Sequence, residues 1–454
     1  MTSSPMLDTI IVGGGIAGLA AAHQLRDRRI VVLEAADRPG GRIHSHPAGP
    51  YWLNLGAHMF GGPGSTVGNL VAELGLDSRP IRGELLGIAA GGRRLLRGRL
   101  ETMPLRMALP LAARASLIRM GLGLRLGSDA AVRALRPRQH ETRAERRARV
   151  HAFRNDATLA AALNPQHPAI IAFLDTITER TGGAPDEMAA GYALRSFANV
   201  WSRHSPGFNL HGGSAMLPRA LAAELGGRLQ LGAQVSAVRQ HETGVLVDYV
   251  QDGESRQVEA RSVIVATPAY VTARILRDAP EPLRAALRDI RYGAFLTMAV
   301  LTRETSPMPW DGNYAITTPD RSFSALFNQA TSLRTGPRQP GGSIMLFRGA
   351  RGAALLMELT DSQIEAKFMG DLFAEFPEAK GLVDETVLQR WPAGAPYSWP
   401  GRAALQARLT APLGAVFLAG DYLEFPNMEA AAETGIDAAQ SATAYLAANA
   451  VTPA

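Results

Sequence analysis

Residues 7–12 (LDTIIV) form an apolar run of strand length, the turn GGGIAG follows, and LAAAHQLRDR continues at helical spacing. A second apolar run, IVVLE over 30–34, predicts the next strand, so the chain opens on one βαβ unit. Gly- and Pro-rich turns come next, then a short apolar segment around Asn54 to Phe60 and a helix over 66–74 that stops at Gly75. From about residue 83 the texture changes, and 95–205 reads as Leu, Ala and Arg at helical spacing with few strand signals. Met107 to Gly127 is apolar with Arg114, Arg119 and Arg125 set into it, and Pro110, Gly121 and Gly123 are expected to break it. On a regular helix Arg119 would point roughly 140° away from the face shared by Arg114 and Arg125. That favours packed helices over a helix lying on a membrane surface.

Strand patterns return after residue 210. The expected elements are a helix over 214–225, short strands over 228–231 and 235–239, and a hairpin whose arms, 244–250 and 256–260, flank Asp252-Gly253. A buried strand, Val263 to Ala266, ends at Thr267-Pro268. Residues 292–303 and 342–348 read as strands and 361–375 as an amphipathic helix. The end repeats the opening logic: VFLAG over 416–420, Asp421, a loop, and an Ala-rich helix from about 428 to 447. The expected class is α/β, with a Rossmann-like domain built from 1–82, 206–290 and 401–454. It is interleaved with a mixed-sheet plus helical domain built from 83–205 and 291–400.

Composition narrows the chemistry. The 454 residues are 46% apolar and 19% charged, ordinary for a soluble globular protein. Cysteine is absent, which removes disulfides, thiolate metal sites and cysteine nucleophiles. Met1 to Thr9 has neither the basic nor the apolar region of a signal peptide. No stretch offers the ~18 uninterrupted apolar residues of a membrane helix, so a cytoplasmic protein is expected and membrane contact is not. The formal charge is +6, carried almost wholly by Arg, since only Lys367 and Lys380 are lysines. No Phe, Tyr or Trp lies between Arg93 and Val150, so the Arg-rich run Arg133 to Arg149 offers no base-stacking platform. It reads as a solvated helical face, and nucleic acid is not an expected partner.

Gly13-x-Gly15-x-x-Gly18 follows a strand and opens a helix. The first glycine allows the tight turn, the second lets the backbone approach a pyrophosphate, and the third lets helix and strand pack closely. The helix start, at Ile16 and Ala17, offers free N–H groups and a positive dipole end to phosphate. Glu34, followed by Ala35, ends the second strand about 20 residues on, where a carboxylate binds a ribose 2′-OH and repels a 2′-phosphate. Gly40, Gly41 and Arg42 follow; the glycines permit close approach to a diphosphate and the arginine can neutralise it. No metal-ligand spacing, nucleophile elbow or P-loop is present.

The stretch GGGIAGLAAA…VVLEAADRPGGR resembles the N-terminal signature of the flavin-containing amine oxidase superfamily, which includes the protoporphyrinogen oxidases. The likeness extends to HGGSAMLPRAL (211–221), VIVATPA (263–269) and VFLAGDYLEFPNMEAAAETG (416–435). The resemblance implies a Rossmann-like FAD-binding domain interleaved with a substrate domain. It implies FAD, held non-covalently here for want of cysteine, and transfer of hydride to flavin N5 from a small organic substrate, with oxygen or another acceptor reoxidising the flavin. It places Val235 at the adenine, Asp421 after Gly420 at the ribityl chain, and the helix starting near Met428 at flavin N1 and O2. Gly56, Ala57 and His58 would pass the flavin ring.

The likeness has gaps. The lysine that many amine oxidases place near N5 is replaced by Thr297, and an aromatic residue of the amine cage is replaced by Asn427. The other cage ring is expected to be Tyr397. His58 is a candidate base or hydrogen-bond donor, or a histidine packed beside the flavin; His204 and His211 are weaker candidates. The expected reaction is oxidation of a C–N bond in an amine or amide-like substrate. The alternatives are C–C desaturation or a porphyrinogen-type oxidation, and a flavin-binding protein without turnover.

Overall fold

The opening strand, Leu7–Val12, is buried on both faces from Asp8 onward and apolar from Ile10, as the centre of a parallel sheet requires. In the computed structural model, which describes residues 6–85, 87–165, 167–198 and 207–449, it pairs in parallel with Ile30–Leu33 on one side and with residues 260–265 on the other. Two antiparallel strands, Gln234–His241 and Gly244–Gln251, extend the sheet on the far side of Glu254–Val265, and Val416–Leu418 joins Val263–Val265. The hairpin arm expected at 256–260 and the buried strand expected at 263–266 are therefore one twelve-residue strand. Its first half pairs antiparallel within the hairpin and its second half pairs parallel with the opening strand, so the pattern changes from alternating to continuously apolar midway. Helices Ile16–Gln24 and Met428–Ala448 pack together on one face of this sheet. Gly435 makes that contact possible, because a Cβ there would lie 2.0 Å from the Ala17 carbonyl oxygen.

In a second seven-stranded sheet, Arg291–Thr302 lies next to one edge and pairs antiparallel with Gly342–Gly349 and with Val383–Tyr397. The last of these is a fifteen-residue strand that carries Pro392 and Pro396. Proline is tolerated because the strand lies at the sheet edge and its pairing slips near Gly293. The short strands Gly87–Ala90, Ala315–Thr317 and Ala325–Asn328 complete the middle of the sheet.

Leu111–Leu135 is one continuous 25-residue helix, not the interrupted run that its sequence suggests. Pro110 stands just before its first turn, where no N–H is missed. A Cβ on Gly123 would come 2.9 Å from Leu163, and one on Gly127 2.6 Å from Leu194, so those glycines mark close helix packing. Only one face packs: Leu117, Met120 and Leu124 are buried, whereas Leu111, Ile118, Leu122 and Leu126 are exposed. The Arg-rich run also departs from a solvated face. Arg147, in helix Arg143–Ala152, pairs with Glu424 at 2.9 Å and with Asp437 at 2.7 Å, tying this helix to the C-terminal segment.

Candidate active site

The three glycines of the first turn answer three different constraints. Gly13 has φ +107°, and a Cβ on it would come 2.9 Å from the Ala266 carbonyl oxygen. At Gly18 a Cβ would stand 1.9 Å from the Gly13 carbonyl oxygen, so strand and helix can meet only without one. Gly15 has an ordinary φ of −72°, and a Cβ there would meet nothing within 4 Å. Nothing in the chain demands glycine at 15; what it leaves clear is the space in front of helix Ile16–Gln24. No side chain caps that helix, so the N–H groups of Ile16, Ala17 and Gly18 are offered to that space. Gly40 bridges to Gly15, and the Cβ position of Gly41 lies 3.5 Å from the Gly15 Cα, which closes the opposite wall. A cradle that bare backbone forms on two sides, before a helix N-terminus, fits a diphosphate.

Glu34 is held beside this turn. Its Oε2 accepts the Gly14 N–H at 2.5 Å and its Oε1 the Ala36 N–H at 2.8 Å. Residues 230–233 run alongside, with the Glu34 N–H on the Gln230 carbonyl at 2.9 Å and the Ala233 N–H on the Glu34 carbonyl at 2.8 Å. Val235 is buried just beyond, at an irregularity in its strand, and Ala35 is exposed between them. The Glu34 backbone thus meets Gln230 and Ala233, two residues before Val235, though about 200 residues separate them along the chain.

At the other end, Arg42 Nη2 donates to Asp421 Oδ1 at 2.7 Å and Nη1 donates to the Gly394 carbonyl at 3.1 Å. The resemblance gives these two side chains separate duties, at the diphosphate and at the ribityl chain; here they form an ion pair. Desolvation disfavours the charge on Arg42, but Asp421 outweighs it and holds the guanidinium above its ordinary pKa. Gly420 precedes Asp421 at φ +144°, and its N–H donates to Thr434 Oγ1 at 2.9 Å. Asp421 and Tyr397 line one small, partly open pocket together with His151, Tyr192 and Phe425. Met428 is buried at the start of helix Met428–Ala448. Asn427 caps that helix, its Oδ1 accepting the Ala430 N–H at 2.8 Å, which leaves only its amide N–H groups for a ligand. Glu429, which the sequence did not mark, accepts the Gly61 and Val67 N–H groups at 2.7 and 2.9 Å.

Gly56, Ala57 and His58 are fixed from two directions. The carbonyl of Leu55 accepts Thr297 Oγ1 at 2.7 Å and Trp391 Nε1 at 2.8 Å. Thr297, at the expected lysine position, therefore anchors this segment. A Cβ on Gly56 would lie 2.1 Å from the Arg42 carbonyl oxygen, which also accepts the Ala57 N–H at 3.0 Å. His58 Nδ1 lies 3.1 Å from the Gly56 carbonyl oxygen, so Nδ1 carries the proton and Nε2 keeps its lone pair. Burial pulls the pKa of His58 down to about 4, so the ring is neutral at pH 7. It packs on Phe327 and Tyr314, with ring centroids 5.2 and 6.1 Å away, and stands outside the lining that Tyr397 and Asp421 share. His211 is a surface residue 3.5 Å from Asp77, and His204 lies outside the described residues.

His151 was also unmarked. It is buried, its Nε2 lies 3.1 Å from the Leu423 carbonyl oxygen, and desolvation together with Arg402 lowers its pKa to about 3. Its folded pKa lies below the unfolded value near 6.5, so the unfolded chain takes up a proton that the folded chain refuses. The associated stability is complete above pH 6.5 and is lost as the pH falls from there towards 3. In thermal melts from pH 7 to pH 4.5, His151→Asn is expected to show a shallower fall of Tm than the native chain; parallel curves would contradict this.

A glycine-walled helix N-terminus in a Rossmann-like sheet, with a second sheet reached across Arg42 and the Gly394 carbonyl, fits a dinucleotide-dependent oxidoreductase. The family model for flavin-containing amine oxidoreductases matches residues 16–443, and the chain belongs to that family. It is 26% identical over 453 residues to a coproporphyrinogen III oxidase of Mycobacterium bovis, covering 91% of this chain and 92% of the relative. It is also 26% identical over 318 residues to an L-amino acid dehydrogenase of Synechocystis, covering 62% of this chain and 60% of the relative. Among solved structures, cyclohexylamine oxidase from Brevibacterium oxydans superposes with a TM-score of 0.75 at 20% identity, covering 98% of this chain and all of that one, which speaks for the fold. The cofactor is FAD, consistent with this family and with the cradle.

Proposed function

We propose that this protein oxidises the C–N bond of a small amine-type substrate. The observation that carries the cofactor side of this reading is the clear space over Gly15, walled by Gly40 and Gly41 before an uncapped helix. In this reading Gly13, Gly15, Gly18, Gly40 and Gly41 give the diphosphate close access, Glu34 and Val235 hold the adenosine end, and Asp421 takes the ribityl hydroxyls. Bound FAD would supply the two-electron acceptor for a hydride leaving the substrate carbon. The chain's own part is to bind, orient and keep water out. A neutral His58 with a free Nε2 can accept a hydrogen bond or a proton from the substrate. Tyr397 would place one aromatic wall, and the amide N–H groups of Asn427 would donate to the ligand. The cofactor half comprises 1–82, 206–290 and 401–454, the substrate half 83–205 and 291–400. The flavin is held without a covalent bond to sulfur, the acceptor is oxygen or another oxidant, and the protein works in the cytoplasm; no described helix is long and apolar enough to cross a membrane.

The rival reading, a porphyrinogen-type or desaturase reaction, is favoured by the likeness to the mycobacterial coproporphyrinogen oxidase and by Thr297 in place of lysine. Anaerobic mixing of the yellow protein with amines, amino acids and porphyrinogens decides between them through loss of flavin absorbance. Bleaching by porphyrinogens alone would overturn the amine reading, and bleaching by nothing would leave a flavin-binding protein without turnover. Glu34→Ala is expected to weaken FAD retention on the order of tenfold or more, since a carboxylate–hydroxyl bond contributes ~1.5–3 kcal/mol. Equal FAD content after gel filtration would remove Glu34 from the site.

A further inference from the structure

Helix Leu111–Leu135 carries two apolar stripes on opposite faces. Leu117, Met120 and Leu124 are buried on the side that packs on helices Pro168–Thr178 and Ala190–Arg195. Leu111, Ile118, Leu122 and Leu126 are 43–81% exposed. At about 100° per residue these four fall within roughly 80° of one another, on the side away from the buried stripe. With Leu105 they make up five of the eleven large apolar side chains that are exposed among the described residues. Single exposed leucines are ordinary, but a row of them ~22 Å long marks an interaction surface. Arginines border the row on both sides. Arg114 and Arg125 fall roughly 60–80° to one side of it and Arg119 roughly 60–70° to the other, so the ~140° between Arg114 and Arg119 is the angle of a flanking pair. Among the described residues the only carboxylate within 4.0 Å of these three is Glu101, 3.6 Å from Arg125. Residues 97–138 hold nine arginines against Glu101 and Asp129, a net +7 that exceeds the +6 of the whole chain.

We propose that this face of the helix docks on an anionic lipid surface, with the leucine row at the boundary between headgroups and acyl chains and the flanking arginines at the lipid phosphates. The two parts do different work. The apolar row gains by leaving water, and the arginines supply the attraction to anionic headgroups. Arginine suits the flanks, because its stem runs along apolar surface while its guanidinium reaches back to phosphate. Charge argues against a second copy of this chain as the occupant, since two such faces brought together would set like charge against like charge. The contact is one of lying in the interface, not of spanning; no described helix is long and apolar enough to cross a membrane. None of these residues lines the pocket of Asp421 and Tyr397, so the docking surface stands apart from the oxidase reading.

The test uses the full FAD-loaded chain and two kinds of vesicle, phosphatidylcholine alone and an equimolar mixture of phosphatidylcholine and phosphatidylglycerol. In co-sedimentation the protein is expected to bind the mixed vesicles, to leave the neutral ones, and to be released from the mixed ones by salt. The double variant Leu122→Gln/Leu126→Gln should lose on the order of a hundredfold in partitioning, and Arg119→Gln/Arg125→Gln on the order of tenfold or more. All four side chains are exposed, so Tm and FAD content are expected to stay as in the native chain. The absence of cysteine allows a direct measurement of depth. A polarity-sensitive fluorophore on Leu122→Cys should shift to the blue when mixed vesicles are added, and the same label on Leu355→Cys, an exposed leucine in another helix, should not. No binding to the mixed vesicles, equal binding by the leucine double variant, or the same spectral response at both labelled positions overturns the proposal. So does a native dimer in light scattering that Leu122→Gln/Leu126→Gln converts to monomer, because the row is then covered by a second copy.

Discussion

Gly15→Val is expected to yield a chain that folds as stably as the native apoprotein yet no longer retains FAD. The first half follows from sterics. Gly15 has φ −72° and ψ 174°, an extended conformation open to any residue, and its Cβ would meet no atom within 4 Å. The second half follows from what occupies that space when the cofactor is bound. A valine would stand between the N–H groups at the start of helix Ile16–Gln24 and the facing wall at Gly40 and Gly41. Loss of two or more charge-assisted hydrogen bonds, each ~1.5–3 kcal/mol, amounts to on the order of a hundredfold or more in affinity. Gly18→Val is the control with the opposite profile. Its Cβ would be driven 1.9 Å from the Gly13 carbonyl oxygen, so the apoprotein itself should lose stability. The measurements are Tm of both apoproteins and the flavin-to-protein absorbance ratio after reconstitution. A Gly15→Val protein that keeps its yellow colour would remove the diphosphate from this turn.

That difference between two glycines of one motif shows where sequence is informative. The strand–turn–helix of residues 7–24 was legible because its signals are local: an apolar run, glycines at fixed spacing, then helical periodicity. The helix Leu111–Leu135 was misread at Gly121 and Gly123: a Cβ on Gly121 meets nothing within 4 Å, and at Gly123 the reason for glycine is a partner, Leu163, that lies far along the chain. The edge strand Val383–Tyr397 was hidden by Pro392 and Pro396, whose tolerance depends on being at an edge. Site residues followed the same rule. Glu34 stood out by its distance from the glycines, while Glu429 carried no such signal, because the Gly61 and Val67 N–H groups it accepts lie far along the chain. Asn427 was marked for an aromatic residue it replaces, and its helix-capping bond to Ala430 becomes visible only with the backbone in place.

Asp421→Ala is expected to damage the apoprotein as well as the cofactor site, because the carboxylate has two duties. It is 6% exposed and is the only carboxylate paired with Arg42 among the described residues. Arg42 comes from the segment after the second strand, Asp421 from the C-terminal segment, and the Gly394 carbonyl that shares the guanidinium from the second sheet. Removing one partner of a buried pair costs ~3–5 kcal/mol where the remaining charge is fully enclosed. The side chain of Arg42 is 32% exposed, so water offsets part of this and a loss of about 2 kcal/mol is expected. Adding Arg42→Met to Asp421→Ala should restore much of it, since no unpaired charge then remains, and the double-mutant cycle measures the coupling directly. FAD retention should fall in both variants and should not be restored in the double one, which separates the structural duty from the binding one. Strict additivity of the two unfolding free energies in urea would mean that the pair is not coupled, and that Arg42 and Asp421 act on the cofactor independently.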